Sequence, residues 1–482
     1  MIKLKDLILE AAKEDASLAY LQKLVQSGPF KGKVYLAGGA VRDMELGKTP
    51  KDLDVVVTGD LNAGMDFAKW ATQFMGNYKE GSNPVLFPNF GTAKFTLRGI
   101  VHNGIDLSDI DIESVATRKE KYTQGSRKPE VSQGDLTDDV MRRDFTVNSL
   151  LKDLTNGEIL DLTGKGKEDI KNGIVRTPLN PDVIFSEDSL RILRGIHFTM
   201  KYDWDLPMFM IKGMKRNAPQ LKNISQERIR DELNKILLTG SPERAIKLMR
   251  ITDVLDYVIP EFKAAYKMTQ NKYHGKNTVW QHTLQVLKNT KPTLISRVGS
   301  LLHDIGKTTT RTVVDGDVHF YSHEGVGSEM ARGILEKLRY PNNIIDAVCL
   351  GIKNHMRIKQ SGLEGDKISD KALRKFVVDM GEHLEDVLAI IDADNRSHAP
   401  EYSMPNQVPN IIKRIEQLKN TIPTKGQKVP ITGEDLKVLG LKPGPLFKDL
   451  IDLVKDKQLE APNTTKEQYL ELIKSHLKSK NI

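Results

Sequence analysis

The sequence predicts an α+β protein: a small mixed sheet with helices at the front, then helices alone. Three observations carry this. Between "KVYLAGGAVRD" and "FTVNSLL", short apolar strands alternate with helical stretches and Gly turns. Beyond about Ile184 strand signals almost vanish, and helical periodicity dominates to about residue 400. The 482 residues exceed one ordinary core, so roughly two to four domains are expected.

In order, residues 1–30 read as helix, and "VYLAG", "LDVVVTG", "AKFTLRG" and "DIESVAT" as strands. "EDSLRILRGIHF", "SQERIRDELNKILL", "PERAIKLMRITDVLDYVI" and "WQHTLQVLKNT" carry the helical period. The Pro-rich "HAPEYSMPNQVPN" reads as a connector, and a small helical unit built on "ITGEDLKVLGLKPGPLFKDLIDLV" follows. The expected divisions are 1–150, 151–270, 271–400 and 401–482.

No apolar run approaches the ~20 residues of a membrane helix. The acids inside the helical period of "MIKLKDLILEAAKEDASLAYLQKLV" do not fit a signal peptide. The single cysteine, Cys349, excludes an internal disulfide framework and fits a reducing cytoplasm. A net charge of +8 favours a polyanionic partner, nucleic acid or nucleotide.

The stretch "TPKDLDVVVTG" sets two carboxylates at the mouth of an apolar strand. Residues i and i+2 of a strand share a face, so Asp52 and Asp54 project together while Leu53 points away. Two such carboxylates repel unless a cation or a shared proton relieves them. Mg²⁺ takes one or two carboxylates plus substrate phosphates. Upstream, Gly38 and Gly39 of "LAGGAVRD" let backbone N–H groups approach an anion, and Arg42 adds a planar donor fork suited to phosphate. Singly, a DxD is often a solvated strand end and a Gly-Gly only a turn; their joint order points to a triphosphate with metal.

These residues resemble the class II tRNA nucleotidyltransferase and bacterial poly(A) polymerase family, within the polymerase-β nucleotidyltransferase superfamily. "GGAVRD", "KDLDVVVTG", "FGTAKFTLRG", "ESVATRKEKY" and "MRRDFTVNSLL" follow its head and neck motifs in order, and "GEILDLTG", "SEDSLRILRGIHF" and "SQERIRDEL" come after. The resemblance runs from about residue 30 onward. It implies a polymerase-β-type head (1–150), a helical neck that recognises nucleobases and RNA (151–270), and two head magnesium ions on Asp52 and Asp54. Glu113 takes the position of a third acid, with Asp111 as the alternative. It further implies that Arg142, Arg143 and Asp144 help bind the triphosphate and ribose, with a structural ion pair as the alternative for Arg142. His197 stands where the family commonly has Arg, and Ser189 where Pro is common.

"EDSLR" places Asp188 and Arg191 three apart on an expected helix, and so on one face. Cytosine and adenine both present an amino donor beside an unprotonated ring nitrogen. An Asp accepts from the first and an Arg donates to the second. Uracil and guanine reverse that order and would strand buried groups at ~1–3 kcal/mol each. The resemblance assigns this C-and-A template role to the pair; a surface i,i+3 ion pair is the plain alternative.

"WQHTL", "LLHDIGK", "YSHEG" and "KNHMR" distribute His282, His303, His323 and His355 over successive expected helices, with Asp304 beside His303 and Asp394 (or Asp392) in "AIIDADNRS". A carboxylate beside imidazole in an apolar helix is costly unless a cation or hydrogen bonds satisfy it. This set resembles the HD superfamily of metal-dependent phosphohydrolases, implying an HD domain at 271–400 with phosphatase or 2′,3′-cyclic phosphodiesterase activity. Mixed imidazole and carboxylate ligands suit Mn²⁺, Ni²⁺, Co²⁺ or Fe²⁺ better than all-oxygen Mg²⁺ sites. Lys307 is placed to contact a phosphate or to cap a helix. An inert HD fold is the alternative.

The last region, 401–482, resembles the tail of HD-bearing family members, and the "GLKPGP" turn offers N–H groups to an RNA phosphate or is purely structural. The combined expectation is addition of CCA to tRNA 3′ ends from CTP and ATP in the cytoplasm. The alternatives are a poly(A) polymerase or partial CC- or A-adding enzyme, an HD phosphohydrolase with a non-catalytic nucleotide-binding head, and a non-catalytic RNA-binding protein.

Overall fold

The apolar run "VVV" that follows Asp54 fits a buried strand, and in the computed structural model "LDVVV" is the central strand of the front sheet, with Asp54 alone exposed. The structure describes residues 4–50, 52–75, 84–88, 91–121, 130–275, 277–423 and 429–480; Lys51, Phe90 and Tyr122 of the motifs above fall outside them. The strands of this sheet are β1 (Val34–Ala37), β2 (Leu53–Val57), β3 (Val85–Phe87), β4 (Thr92–Thr96), β5 (Asp111–Ala116), β6 (Leu151–Asp153) and β7 (Ile159–Leu160). They are ordered β7-β6-β1-β2-β5-β4-β3. The β2–β5 pairing is parallel and the others are antiparallel. Because β6 and β7 complete the sheet, the boundary expected at residue 150 falls inside it: "LLKDLTNGEIL" is a hairpin of the head, with Gly157 N–H closing on the Asp153 carbonyl.

The helix Ala63–Phe74 buries Phe67, Ala68 and Ala71 against this sheet. The Ser114 hydroxyl donates to the Gly64 carbonyl at 2.7 Å, tying that helix to β5. The helices that follow include Pro181–Glu187 and Leu190–Tyr202, the second packing Phe198 edge-on against Phe145.

The chain divides into two compact units, Met1–Glu232 with Leu248–Val258, and Leu233–Lys247 with Ile259–Ile482. In the second unit, helices Leu294–Leu302, Asn342–Asn354 and Leu384–Asn395 pack closely because two glycines admit one isoleucine. A Cβ on Gly299 would sit 2.4 Å from Ile390 Cδ1, and one on Gly351 2.8 Å from the same atom. Strands also occur in this expected all-helical half. β8 (Arg311–Val314) and β9 (Asp317–Phe320) form a hairpin. Its turn, Asp315 (φ 51°) and Gly316 (φ 85°), has the left-handed pair that Asp-Gly favours between strands. The C-terminal helices enclose their own cluster, centred on Leu436, Leu450, Val454, Tyr469 and Ile473. Among the described residues, no helix is long and apolar enough to cross a membrane.

Candidate active sites

In the head, the parallel register sets Leu53 opposite Ile112 and Asp54 opposite Glu113. Leu53 and Ile112 are buried, so the acids share the opposite, solvent-facing side with Asp52 just before the strand. Desolvation first, then the negative charges of Glu113 and Asp52, push the Asp54 carboxyl up to about 6; Arg143 opposes the shift. Asp111, the alternative third acid, is engaged elsewhere: it pairs with Lys94 at 2.7 Å and accepts from Thr96 at 2.6 Å. The three head acids are not among the tight ligand groups found in the described residues, both of which lie in the second unit. Their chemistry, oxygen-only and mutually repelling, fits a hard divalent cation.

The basic residues around them are held by partners. Arg42 is buried; it donates to Asn148 Oδ1 at 2.6 Å and to Asp43, and lies 5.2 Å and 5.1 Å over the Phe198 and Tyr202 rings. Its fork is therefore spent inside the protein rather than open to a phosphate. Gly38 has φ 69°, and a Cβ there would meet Arg143 Nη1 at 3.2 Å, so the Gly38–Gly39 turn runs directly under Arg143. Arg142 Nη2 reaches Asp139 at 2.5 Å and Nη1 reaches Glu120 at 3.2 Å, while Arg143 Nη2 reaches Asp139 at 2.8 Å. Burial works to raise the Asp139 carboxyl, but the two guanidiniums outweigh it and hold the group below the usual range. Asp144 receives Arg194 at 2.6 Å and Asn148 at 3.0 Å. Burial again works upward, and Arg194 with Asn148 holds the group low. The i,i+4 spacing of Asp144 and Asn148 in "RRDFTVNSLL" was the available signal for this lock; Asp139 and Arg194 carried none.

Asp188 and Arg191 do not sit on one helix. Asp188 is extended (φ −144°, ψ 100°) between Pro181–Glu187 and Leu190–Tyr202, where it accepts from Leu190 N at 3.1 Å and so replaces a helical bond. It also accepts from Arg228 at 2.6 Å. Arg191 donates to the Ile184 carbonyl (3.1 Å), Glu187 (2.9 Å) and the Arg142 carbonyl (2.8 Å). The expected shared helical face is thus a helix break, and no ion pair joins the two among the described residues. His197 stacks on Phe198 and lies 4.0 Å from Glu232.

The second unit gathers His282, His303, Asp304, His323, His355 and Asp394, all buried. Oxygen and nitrogen atoms of His282, His303 and Asp394 lie within 4.8 Å of one another, as do those of Asp304, His323 and His355. Three imidazoles are oriented by the carbonyl three residues back: His303 on Ser300 (2.8 Å), His323 on Phe320 (2.8 Å) and His355 on Ile352 (2.6 Å). His303 and His355 thereby use carbonyls that a helix C-terminus leaves unsatisfied. Each donates from Nδ1, and the three buried Nε2 atoms turn toward Asp304, at 3.2 Å for His303, 3.5 Å for His323 and 3.9 Å for His355. Buried imidazole nitrogens crowded around two carboxylates fit a divalent cation. Burial pushes His355 down to about 3. Asp304 and Asp394 stay well below the usual range despite burial, Asp304 through His303 and Lys307, Asp394 through Lys359 and His282. Asp392, the alternative to Asp394, faces Arg396 at 2.8 Å. The sequence reading missed His274, His398 and Lys359, which border the same cavity from two three-residue 3-10 helices and a bend, too short to carry a periodic signal.

Residues 34–176 match the poly A polymerase head domain, 210–266 the probable RNA and SrmB-binding site of polymerase A, and 279–420 the HD domain. The chain is 26% identical over 449 residues to the CC-adding tRNA nucleotidyltransferase of Thermus thermophilus, covering 89% of this chain and 91% of that protein. It is 27% identical over 384 residues to the multifunctional CCA protein of Neisseria meningitidis, covering 76% and 84%. The crystal structure of the Bacillus stearothermophilus CCA-adding enzyme in complex with CTP has the same fold, with a TM-score of 0.66 at 22% identity over 98% of this chain and 99% of that one.

Proposed function

We propose that this chain, which carries a poly A polymerase head domain and an HD domain, adds CCA to tRNA 3′ ends from CTP and ATP. The observation that carries this is the Asp54–Glu113 register, which sets two acids of adjacent parallel strands side by side, with Asp52 just ahead. In the transfer, the RNA 3′-oxygen bonds to the α-phosphorus, the bond to the β-phosphate oxygen breaks, pyrophosphate leaves and the hydroxyl proton passes to solvent. Asp52, Asp54 and Glu113 would hold Mg²⁺, which when bound supplies charge stabilisation on the attacking and leaving oxygens. Arg143, beside the Gly38–Gly39 turn, opposes the negative charge at Asp54 and is suited to the triphosphate; Arg142 and Asp144 support it through Asp139 and Asn148. Asp188 and Arg191 would read the base, Arg191 after exchanging its present partners. The neck and tail would hold the tRNA by shape and phosphate contacts.

For the second unit we propose a metal-dependent phosphohydrolase acting on 2′,3′-cyclic or terminal phosphates of RNA 3′ ends, in which a water oxygen bonds to phosphorus and a sugar oxygen leaves with a proton. His282, His303, Asp304, His323, His355 and Asp394 would hold a transition-metal ion such as Ni²⁺ or Mn²⁺, whose chemistry when bound is to acidify water.

Stepwise incorporation tests the main reading. Transcripts ending before CC, after C and after CC are offered CTP or ATP singly, and completion to CCA is expected. A stop after CC marks the partial activity named for the Thermus relative, and long A tails on arbitrary RNA mark a poly(A) polymerase.

A further inference from the structure

The cavity over the histidine cluster has a volume of about 530 Å³, within the ~300–1,000 Å³ of small-molecule sites. Asp304, Asp394, Lys307 and Lys359 are its acidic and basic lining residues. Each carboxylate holds one ammonium: Lys307 Nζ lies 2.6 Å from Asp304 Oδ2, and Lys359 Nζ is hydrogen-bonded to Asp394 Oδ2. Each ammonium also has neutral acceptors. Lys307 donates to Gln270 Oε1 at 2.8 Å and approaches His274 Nε2 at 3.3 Å; Lys359 approaches His398 Nε2 at 3.4 Å.

Charge counting gives this arrangement a consequence. Among the lining side chains Asp304, Asp394, Lys307 and Lys359, two carboxylates and two ammoniums sum to zero. The same carboxylates complexed to a divalent cation leave the lysines without counter-ions, and Gln270, His274 and His398 still hold them at the wall. The cavity then carries two surplus positive charges in a largely desolvated space, where unpaired charge is costly. A phosphomonoester carries close to two negative charges near neutral pH, and a cyclic phosphodiester only one. Tyr273 and Tyr402, edge to face with 5.0 Å between centroids, line the same cavity, as do Met356 and Leu363; Tyr273 and Leu363 are well exposed. Exposed aromatic and apolar lining together with buried charged lining matches a ligand with a flat base at one end and a phosphate at the other.

We propose that Lys307 and Lys359 serve as counter-ions in the metal-free protein and, once a divalent cation takes over Asp304 and Asp394, become a clamp for the phosphate of a nucleoside phosphomonoester. Tyr273 and Tyr402 receive its base. This rests on the phosphohydrolase reading of the cluster and adds the order of binding, the preference for a monoester over a cyclic diester, and the roles of Lys359 and the tyrosines.

Calorimetric titration of the full-length protein, chelator-treated and Ni²⁺-loaded, tests it with adenosine 2′-monophosphate, ribose 5-phosphate and adenosine 2′,3′-cyclic monophosphate. Metal loading is expected to tighten adenosine 2′-monophosphate by about tenfold or more, and above the cyclic diester by a similar factor. Lys359→Gln removes most of that gain and Lys359→Arg retains it. Tyr273→Ala weakens the nucleotide but not ribose 5-phosphate, a pattern that a folding defect does not produce. A short RNA ending in a 3′-phosphate, titrated alongside, supports the proposal with an RNA end as the source if it binds as tightly, and with a free nucleotide as the source if it does not. An affinity indifferent to Ni²⁺ or to Lys359→Gln, or equal binding of the cyclic diester, overturns the clamp. Elemental analysis separates the two failures: absence of bound Ni²⁺ removes the phosphohydrolase reading itself, whereas bound Ni²⁺ without tighter phosphate removes only the clamp.

Discussion

Arg228 donates to Asp188 at 2.6 Å from forty residues further along the chain. Arg191 is engaged separately by Glu187 and two carbonyls. In the proposed base-reading role Arg191 exchanges partners, while Asp188 stays oriented by Arg228 and accepts from the base with its free lone pairs. Arg228→Ala is expected to lower discrimination of CTP against UTP by about tenfold, the scale of one misplaced buried hydrogen bond. CTP incorporation itself should change less. Single-nucleotide incorporation kinetics with both nucleotides measure the ratio.

The register of β2 and β5 separates two acids that sequence left as alternatives. Glu113 stands beside Asp54, whereas Asp111 is tied to Lys94 and Thr96. Glu113→Gln should lower CTP incorporation by roughly a hundredfold or more, equivalent to ~3 kcal/mol in the barrier. Asp111→Asn should stay within about threefold, because it alters an exposed ion pair. Equal losses in both variants would return the third-acid role to Asp111.

Asp54 gives stability and activity opposite signs. Its carboxyl, pushed up to about 6, keeps a proton in the folded chain at pH values where the unfolded chain has released it. The stability linked to it is greatest below the ordinary carboxylate range near 4, declines as pH rises through about 6, and stays reduced at neutral pH. Asp54→Asn removes that repulsion. It should raise the Mg²⁺-free unfolding temperature at neutral pH, by ~1 kcal/mol or less after solvent screening, and abolish incorporation. The stability gain should vanish near pH 4, and thermal unfolding at the two pH values checks the sign.

The strand "LDVVV" and its acids were legible because a two-residue period fixes which side chains share a face, whatever the rest of the chain does. The His303–Asp304 pair was legible because that combination is expensive in an apolar helix. The choice between Glu113 and Asp111 needed the register, which is a property of two distant strands. Asp188 and Arg191 were misplaced for a local reason: three-residue spacing implies a shared face only if the helix is continuous, and here the backbone extends at Asp188. The hairpin around Asp315–Gly316 had its turn dipeptide in view, but strands of four residues give too short a period to stand out among helices. Lys359, His274 and His398 are single polar residues brought together only by tertiary packing, and Arg42, expected on a phosphate, was instead absorbed by Asn148 and two aromatic rings.

Asp139 is fully buried between Arg142 and Arg143. Replacing it with Asn leaves two guanidiniums short of a carboxylate, a class of change that costs ~3–5 kcal/mol. The expected cost lies at the lower end, since both arginines keep some solvent and Arg142 keeps Glu120. Because the Asp139 carboxyl is held low, its stabilisation is present above the ordinary carboxylate range and is lost as pH falls through the lowered value. Urea unfolding of Asp139→Asn at neutral pH, compared with the parent near pH 3, should show the substitution reproducing part of the acid effect.

The two metal-type sites draw on different residues and different donor chemistry, so they should be separable in one protein. His303→Ala removes a buried imidazole that is oriented by the Ser300 carbonyl and lies 3.2 Å from Asp304 Oδ2. Loss of such a ligand typically weakens metal binding by more than the ~10–100-fold seen for outer partners. His303→Ala should therefore lose Ni²⁺ uptake and with it the rise in unfolding temperature that a tightly bound ion gives the parent. CTP incorporation in Mg²⁺ should persist within about twofold, since Asp52, Asp54 and Glu113 are untouched. Asp392→Asn, whose partner is Arg396, should keep Ni²⁺ uptake, whereas Asp394→Asn should not. Elemental analysis, thermal unfolding with and without Ni²⁺, and the incorporation assay read the three quantities independently. A His303→Ala protein that still binds Ni²⁺ stoichiometrically and melts like the parent would mean that the buried imidazoles are packing rather than ligands.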